Sequence, residues 1–354
     1  MRTIHVDLGA HAYNIEIAAG LLPSVGTQVA QLLPKARKAA IISDSNVAPL
    51  YADKLRESLE AAGFSVLTVV ITAGEQSKNI GVLSNVLEQL ARGGMTRSDV
   101  VLTLGGGVVG DLGGFAAASF MRGVAFVQIP TSLLAQIDSS VGGKVAVDLQ
   151  AGKNLAGAFY QPKAVFIDTD LLRTLPTRFL HDGLAEAIKY GCIKDAGLFE
   201  KIAGFADDAE LLANIDEIVA ACCVIKARIV EQDEFDTGLR MLLNFGHTIG
   251  HAVEQHFGYG GFTHGEGVAI GMYQLTQRTE KLGLTAVGAA ERIKNVLEKY
   301  QLPLEAGVAK SELIATMARD KKKSGNSITL IILKKIGQGE LLKLDWQQVP
   351  EYLG

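Results

Sequence analysis

Cysteine is scarce in this chain of 354 residues, and the three that occur, Cys192, Cys222 and Cys223, make neither a C-x-x-C pair nor an even disulfide framework. Reduced thiols within helices are expected. No stretch reaches the roughly 18 consecutive apolar residues of a membrane span. The opening MRTIHVDLGAHAYNIEI alternates like a strand and lacks a signal-peptide core. A soluble cytoplasmic protein without a membrane partner is expected. Nor does one sign of charge dominate: 34 Lys and Arg face 38 Asp and Glu, and the basic residues are dispersed apart from Lys321 to Lys323. That excludes the electrostatic footprint of a nucleic-acid binder. Internal repeats, low-complexity tracts and long linkers are missing as well. The length suits two domains or one large one.

Alternating strands and helices fill the first half. Residues 1 to 20 read as a β-hairpin, with Ile4, Val6 and Leu8 before the turn and Tyr13, Ile15 and Ile17 after it. KAAIISDSN from Lys38 reads as a buried strand, residues 47 to 62 as an amphipathic helix and FSVLTVVI as the next strand. A helix over 79 to 92, the strand in SDVVLTLGGG, a helix beginning in GVVGDLGGFAAASF and the strand AVFID follow. This alternation predicts an α/β fold, a Rossmann-like doubly wound parallel sheet over residues 1–175. After Pro176 the pattern turns mainly α-helical, giving a second domain over 176–354 that includes one long helix over 209 to 232 and a closing hairpin, SITLIILKKIGQGELLKLD.

Ligands of such sheets bind beyond the carboxyl ends of the strands. Those ends carry Asp44 and Asn46, Gly74 to Lys78, and Gly105 to Asp111. The glycines let backbone N–H groups at a helix N-terminus approach a pyrophosphate, although a tight strand-to-helix turn needs glycine too. Asp44 suits a helix cap as well as a ribose. Asp138, Lys144, Lys153 and Asn154 read as glycine-rich loop, where lysines either meet an anionic ligand or are simply solvated.

The densest chemistry lies in RMLLNFGHTIGHAVEQHFGYGGFTHGE, Arg240 to Glu266, which holds four of the seven histidines. Read as one helix, Arg240, Asn244, His247 and His251 form a polar stripe at i, i+4, i+7 and i+11 among apolar residues. Gly246 and Gly250 lie on another side and permit close backbone approach. His264 follows in a glycine-rich loop. A histidine pair with a third histidine nearby makes a workable zinc shell with an open position; satisfied core histidines are the alternative. HTIGH lacks the glutamate of the H-E-x-x-H motif. Glu186 and Lys189, at i and i+3 in HDGLAEAIKYGCI, are either a surface ion pair or a carboxylate completing the histidine site with a lysine beside it.

Taken in order, GGGVVGDLGGFAAASFMRG, IPTSLLAQIDSSVGGKVAVD, GKNLAGAFYQP, GLAEAIKYG, LLNFGHTIGHAVE and HGEGVAIGM resemble the 3-dehydroquinate synthase family over about residues 40 to 335. The resemblance implies a lyase of the shikimate pathway dependent on NAD and on Zn2+ or Co2+. Such an enzyme converts 3-deoxy-D-arabino-heptulosonate 7-phosphate to 3-dehydroquinate and phosphate by transient oxidation, phosphate elimination, reduction and internal aldol closure. Another sugar-phosphate cyclase, such as a 2-deoxy-scyllo-inosose or valiolone synthase, or a metal-dependent polyol dehydrogenase would use the same scaffold.

Carried over residue by residue, the resemblance implies Glu186, His247 and His264 as metal ligands, with His251 a substrate and proton-relay residue. It implies Lys144, Asn154, Lys189, Lys226, Arg240, Asn244 and Lys322 at the substrate's phosphate and carboxylate. Asp138 would orient the nearby lysines and the nicotinamide end, and Arg122 would reach a neighbouring subunit's site, which implies a homodimer. For NAD it implies Asp44 and Asn46 near the adenosine, Glu75 and Lys78, and Gly106, Gly107, Val108, Val109, Gly110 and Asp111 at the pyrophosphate. Thr131, Ser132, Asp138, Lys144, Lys153, Leu171, Leu172, Arg173 and Thr174 complete that set.

Overall fold

Strands that are apolar on both faces must be covered on both, and the first half of the chain meets that demand with a seven-stranded sheet. In the computed structural model every residue is described except 237, 259–260, 310, 318–326 and 354. The elements of this half are β1 (Arg2–Val6), β2 (Tyr13–Ala18), α1 (Val25–Leu32), β3 (Lys38–Asp44), α2 (Ala48–Ala61), β4 (Ser65–Ile71) and α3 (Ile80–Arg92). After them come β5 (Val100–Gly105), α4 (Gly107–Ser119), β6 (Ala125–Pro130), β7 (Lys144–Leu149), β8 (Gly152–Phe159) and β9 (Ala164–Asp168). The sheet order is β1-β2-β9-β6-β5-β3-β4. Only β1 and β2 pair antiparallel, with Ile4 opposite Ile15 and Val6 opposite Tyr13 as the hairpin pattern predicts.

Side-chain alternation divides the core between the two faces. Ile41, Leu102, Val127 and Phe166 pack on one face with Leu55 and Leu59 of α2; Ile42, Val101 and Phe126 pack on the other with Val86 of α3 and Leu112 of α4. Lys144, Lys153 and Asn154 do not lie in loop: β7 and β8 form a two-stranded antiparallel hairpin that contains all three. Alternate valines explain this, because Val145 and Val147 are buried against the α3–α4 face while Lys144 is exposed.

The second half supplies α5 (Thr177–Ile193), α6 (Ala196–Gly204), α7 (Asp208–Ala213), α8 (Ile215–Gln232), α9 (His247–His256), α10 (His264–Lys281) and α11 (Ala289–Lys299). The hairpin β10 (Ser327–Lys335) and β11 (Gln338–Asp345) and a short helix, Val349–Leu353, end it. The single helix expected over 209 to 232 is two, α7 and α8, separated at Asn214, whose N–H bonds back to Leu211. Two compact units result, Met1–Leu175 with Ile215–Phe235, and Pro176–Asn214 with Asp236–Gly354. A division at 175/176 alone would place α8 in the second unit. In the structure its Cys223 thiol donates to the Gln136 carbonyl at 3.3 Å, and Glu231 accepts the Asp7 N–H at 2.9 Å.

The continuous helix read through Arg240 and His251 is also broken. Leu239–Asn244 is a 3₁₀ segment, Phe245 is extended, and Gly246 takes φ 80° before α9 begins at His247. Left-handed backbone at Gly246 resets the helix, so Arg240 and Asn244 share no stripe with His247 and His251. His264, read as loop, is the first residue of α10, where Thr263 and Glu266 form a capping box.

Glycine sets how closely α9 and α10 approach. A Cβ on Gly271 would fall 1.9 Å from the Gly246 carbonyl oxygen, and one on Gly250 would fall 2.8 Å from the Gly267 carbonyl carbon. At Gly265 it would meet the Asp182 carbonyl of α5 at 2.0 Å. Backbone atoms cannot yield as a flexible side chain does. Gly271→Ala is therefore expected to destabilise the protein by about 1–3 kcal/mol, the usual range for overpacking. Gly204→Ala, in α6 with open space around its Cβ, should be neutral or stabilising. Urea unfolding of both variants checks the contrast.

Candidate metal and dinucleotide sites

Helix α5 is buried from Leu180 to Ile193 without interruption, and it carries Glu186 and Lys189 into the interior. Glu186 is 0 % and Lys189 1 % exposed, so a surface ion pair is ruled out. The Lys189 ammonium donates to Glu186 Oε2. The other oxygen, Oε1, stands 3.6 Å from His247 Nε2 and 3.6 Å from His264 Nε2. His247 opens α9 and His264 opens α10, so the glycine contacts between these helices bring the two rings to a centroid separation of 5.1 Å.

This geometry fits a divalent ion. Ligands about 2.0–2.1 Å from a tetrahedral zinc lie about 3.3–3.4 Å from one another, close to the spacings found. The three donors, one carboxylate oxygen and two imidazole nitrogens, all lie within 4.8 Å of each other. His247 Nδ1 faces the Phe245 carbonyl at 3.1 Å, which turns Nε2 toward Glu186. Asp182 Oδ1 accepts the Gly265 N–H at 2.6 Å, and Glu266 holds Arg178 through two bonds of 2.8 and 2.9 Å, fixing the start of α10.

Electrostatics separate the two rings. Burial, reinforced by the Lys189 charge, drives the His247 pKa well below the ordinary imidazole value and keeps the ring neutral. Burial also opposes charge on His264, but hydrogen bonds to Glu186 and Glu254 outweigh it and raise that pKa to about 10.

His251 is exposed one turn along α9, its ring 5.3 Å from that of His247 and 5.9 Å from that of His264. With Glu254 and His264 it makes a second grouping of donor atoms. Glu254 was not anticipated from the sequence. Its place three residues after His251 in HTIGHAVE, on the same helical face, is the signal that could have found it. Arg240 is buried and Asn244 exposed on the 3₁₀ segment before α9. Lys322 lies outside the described residues. None of the three cysteines belongs to a ligand cluster among the described residues, and burial lifts the Cys223 thiol to about 12.

In the first unit the residues anticipated for a dinucleotide follow the carboxyl ends of β3 (Asp44, Asn46), β4 (Glu75, Lys78), β5 (Gly106 to Asp111), β6 (Thr131, Ser132) and β9 (Leu171 to Thr174), with Lys144 and Lys153 on the β7–β8 hairpin. Gly106 bridges β5 to α4, and the α4 N-terminus has no side-chain cap, so its first N–H groups are the ones a helix leaves for an anion. A Cβ on Gly106 or Gly107 would stand 3.5 Å from Ser132 Oγ or 3.2 Å from Ser139 Oγ. Lys78, buried, lies 3.2 Å from both Asp111 and Glu75, and Lys153 lies 3.5 Å from Glu75. Burial raises the Asp111 carboxyl to about 6 against the pull of Lys78.

Asp44 Oδ1 accepts the N–H groups of Asn46 and Val47 at 2.8 and 3.0 Å, which holds the turn after β3; it is not the helix cap weighed for it, since the N-cap of α2 is Val47 and no side chain caps that helix. Leu171 and Leu172 are buried. Arg173 pairs with Asp170, and Thr174 Oγ1 lies 2.5 Å from the Tyr51 hydroxyl. Asp138, in a π-helical turn over Ala135–Ser139, receives Lys226 Nζ at 2.6 Å on its carboxylate and 2.5 Å on its carbonyl. Such π-turns concentrate at functional sites. Arg122 is exposed with φ 65°, next to Met121 at φ 49°.

The N-terminal model of 3-dehydroquinate synthase matches residues 68–182, and the C-terminal model matches residues 183–323. The chain belongs to the 3-dehydroquinate synthase family. It is 51% identical over 354 residues to the 3-dehydroquinate synthase of Clostridium acetobutylicum, covering 100% of this chain and 99% of that one. To the synthase of Enterococcus faecalis strain V583 it is 44% identical over 349 residues, covering 98% and 97%. The fold is that of a 2-deoxy-scyllo-inosose synthase crystallised with carbaglucose-6-phosphate, NAD+ and Co2+: TM-score 0.87, 24% identity, 99% of each chain covered. It is also that of the 2-epi-5-epi-valiolone synthase of Streptomyces hygroscopicus subsp. jinggangensis with NAD+ and Zn2+ bound, at TM-score 0.86 and 26% identity over 96% and 95% of the chains.

The His264 shift makes stability depend on pH in the metal-free protein. Its folded pKa, about 10, exceeds the ordinary 6.5, so the proton's contribution is complete below the unfolded value and is lost as pH rises through the folded one. Wild-type protein freed of metal should lose stability between these values more steeply than His264→Gln. Urea titrations across that range measure the difference in slope.

Proposed function

We propose that the chain converts 3-deoxy-D-arabino-heptulosonate 7-phosphate to 3-dehydroquinate and phosphate, the cyclising lyase step of the shikimate pathway that leads to chorismate and the aromatic amino acids, and that it does so in the cytoplasm. The observation that carries this reading is full-length identity of 43–51% to relatives bearing that name, joined to a buried carboxylate and two imidazoles with metal-ligand spacing. The 2-deoxy-scyllo-inosose and valiolone synthases share the fold at 24–26% identity, and no side chain described above favours their substrates. No described helix is long and apolar enough to cross a membrane.

Glu186, His247 and His264 would hold Zn2+ or Co2+, whose chemistry there is Lewis-acid polarisation of a substrate oxygen. The residues from Asp44 to Thr174 identified above would hold NAD, which supplies reversible hydride acceptance, so that the cycle has no net redox. Glu186 offers one oxygen because Lys189 occupies the other. His247 is neutral and ready to ligate, and its Nδ1 is turned away toward Phe245. His251 is exposed, its ring beside those of His247 and His264, and would pass a proton between substrate and solvent at its imidazole nitrogens. Asp138 aims the Lys226 ammonium. Lys144, Asn154, Lys189, Lys226, Arg240 and Asn244 are assigned to the substrate's phosphate and carboxylate, where each charge-assisted bond contributes about 1.5–3 kcal/mol. Lys322 shares that assignment, and Arg122 is assigned to act across a homodimer.

Purified protein with NAD should release phosphate and dehydroquinate in equal amounts without accumulating NADH, and should stop on chelation. Accumulating NADH would replace this reading with a dehydrogenase; phosphate release from a different sugar phosphate alone would replace it with a sister cyclase. His264→Ala should lose stoichiometric metal and keep NAD affinity, checked by metal analysis and by titration with NAD. Metal retained in full would remove His264 from the ligand set.

A further inference from the structure

Glu254 is an unassigned carboxylate beside the candidate ligands. It is 5 % exposed, and its Oε2 lies 3.4 Å from His264 Nδ1. The opposite nitrogen of that ring, Nε2, is the one that faces Glu186. His264 thus lies between two carboxylates, one at each nitrogen. An imidazole in this position has two tautomers, and an acceptor at Nδ1 selects the one whose proton is there, leaving the Nε2 lone pair for a metal. His247 meets the same requirement with the Phe245 carbonyl at its Nδ1. The two rings are held alike at Nδ1, one by a neutral acceptor and one by an anion.

We infer that Glu254 is a positioning residue, which through His264 Nδ1 fixes the tautomer and aim of that ring and so sets the strength of the metal site. The inference rests on Glu186, His247 and His264 being the ligands. Two features of the fold support it. Glu254 follows His247 by seven residues on α9, two helical turns along the same face, so one helix supplies a ligand and also the support for the ligand on the next helix. The close approach of α9 and α10 through Gly250 and Gly267 brings the carboxylate to the ring. Partners of this kind in metal sites typically change affinity by about 10–100-fold.

The test measures Co2+ binding to protein freed of metal, by the visible spectrum of the bound ion and by competition with a chelator, in wild type, Glu254→Gln, Glu254→Ala and His247→Ala. Glu254→Ala should weaken binding about 10–100-fold and shift the Co2+ bands. Glu254→Gln keeps an acceptor oxygen and should recover part of the affinity. In the zinc-loaded protein the His264 Nδ1–H proton resonance, strongly downfield in wild type, should move upfield in Glu254→Gln. That readout uses the isosteric variant and does not depend on the alanine variant folding.

Unchanged Co2+ affinity and bands in both Glu254 variants, with binding lost in His247→Ala, would overturn the role of Glu254 and leave the ligand set standing. If His247→Ala keeps the metal and Glu254→Gln loses it, then Glu254 is a ligand with His251 and His264, and the ligand set fails together with this inference.

Discussion

The chemistry of the second unit depends on how near three helices can come. Gly246 and Gly250 at the start of α9 face α10 around Gly267 and Gly271, and Gly265 faces the Asp182 carbonyl of α5; an added Cβ would meet backbone at 1.9–2.8 Å at Gly246, Gly250, Gly265 and Gly271, and at 3.0 Å at Gly267. Packed helices stand about 8–10 Å apart depending on the side chains between them, and glycine at these contacts favours the near end of that range. Removing the Cβ atoms lets Glu186, His247 and His264 converge. The cost is lower helix propensity at several positions, which the surrounding apolar core offsets: Ile249, Ala252, Val253 and Ile270 pack together around the contact.

Burying charge here needs compensation. Glu186 and Lys189 lie on a helix with no exposed face over fourteen residues, and ions removed from water persist only when paired or ligated. The chain provides Lys189 for one carboxylate oxygen and two imidazole nitrogens around the other. The same environment keeps His247 neutral and charges His264 in the metal-free protein, so an ion held as proposed would compete with a proton for the His264 ring. The metal site and the local pKa values have a common cause in burial and the placement of the Glu186 and Glu254 carboxylates.

In the first unit the backbone takes the corresponding part. The turn from β5 into α4 consists of three glycines, and a buried Lys78 between Glu75 and Asp111 stands beside the anion-attracting helix N-terminus. The β7–β8 hairpin adds Lys144, Lys153 and Asn154 from a two-stranded sheet whose valines anchor it to the core. Helix α8, distant in sequence, belongs with this unit through Cys223 and Lys226.

Period-two and period-3.6 hydrophobic patterns, together with glycines at strand ends, were sufficient to predict the strand–helix alternation of the first half, its parallel sheet and the β1–β2 hairpin, but not the β7–β8 hairpin or the division of α7 from α8. The ordered motifs and the residues in them determined the family and the candidate ligands Glu186, His247 and His264. Tertiary structure decided what local pattern leaves ambiguous. It made Glu186–Lys189 a buried pair, because the neighbours on every side of α5 come from elsewhere in the chain. It broke the Arg240–His251 stripe, because φ at Gly246 answers to its contact with α10 rather than to its flanking residues. It returned α8 to the first unit and set Glu254 against His264, because a sequence records spacing along one helix and not which side chain of the next helix stands opposite.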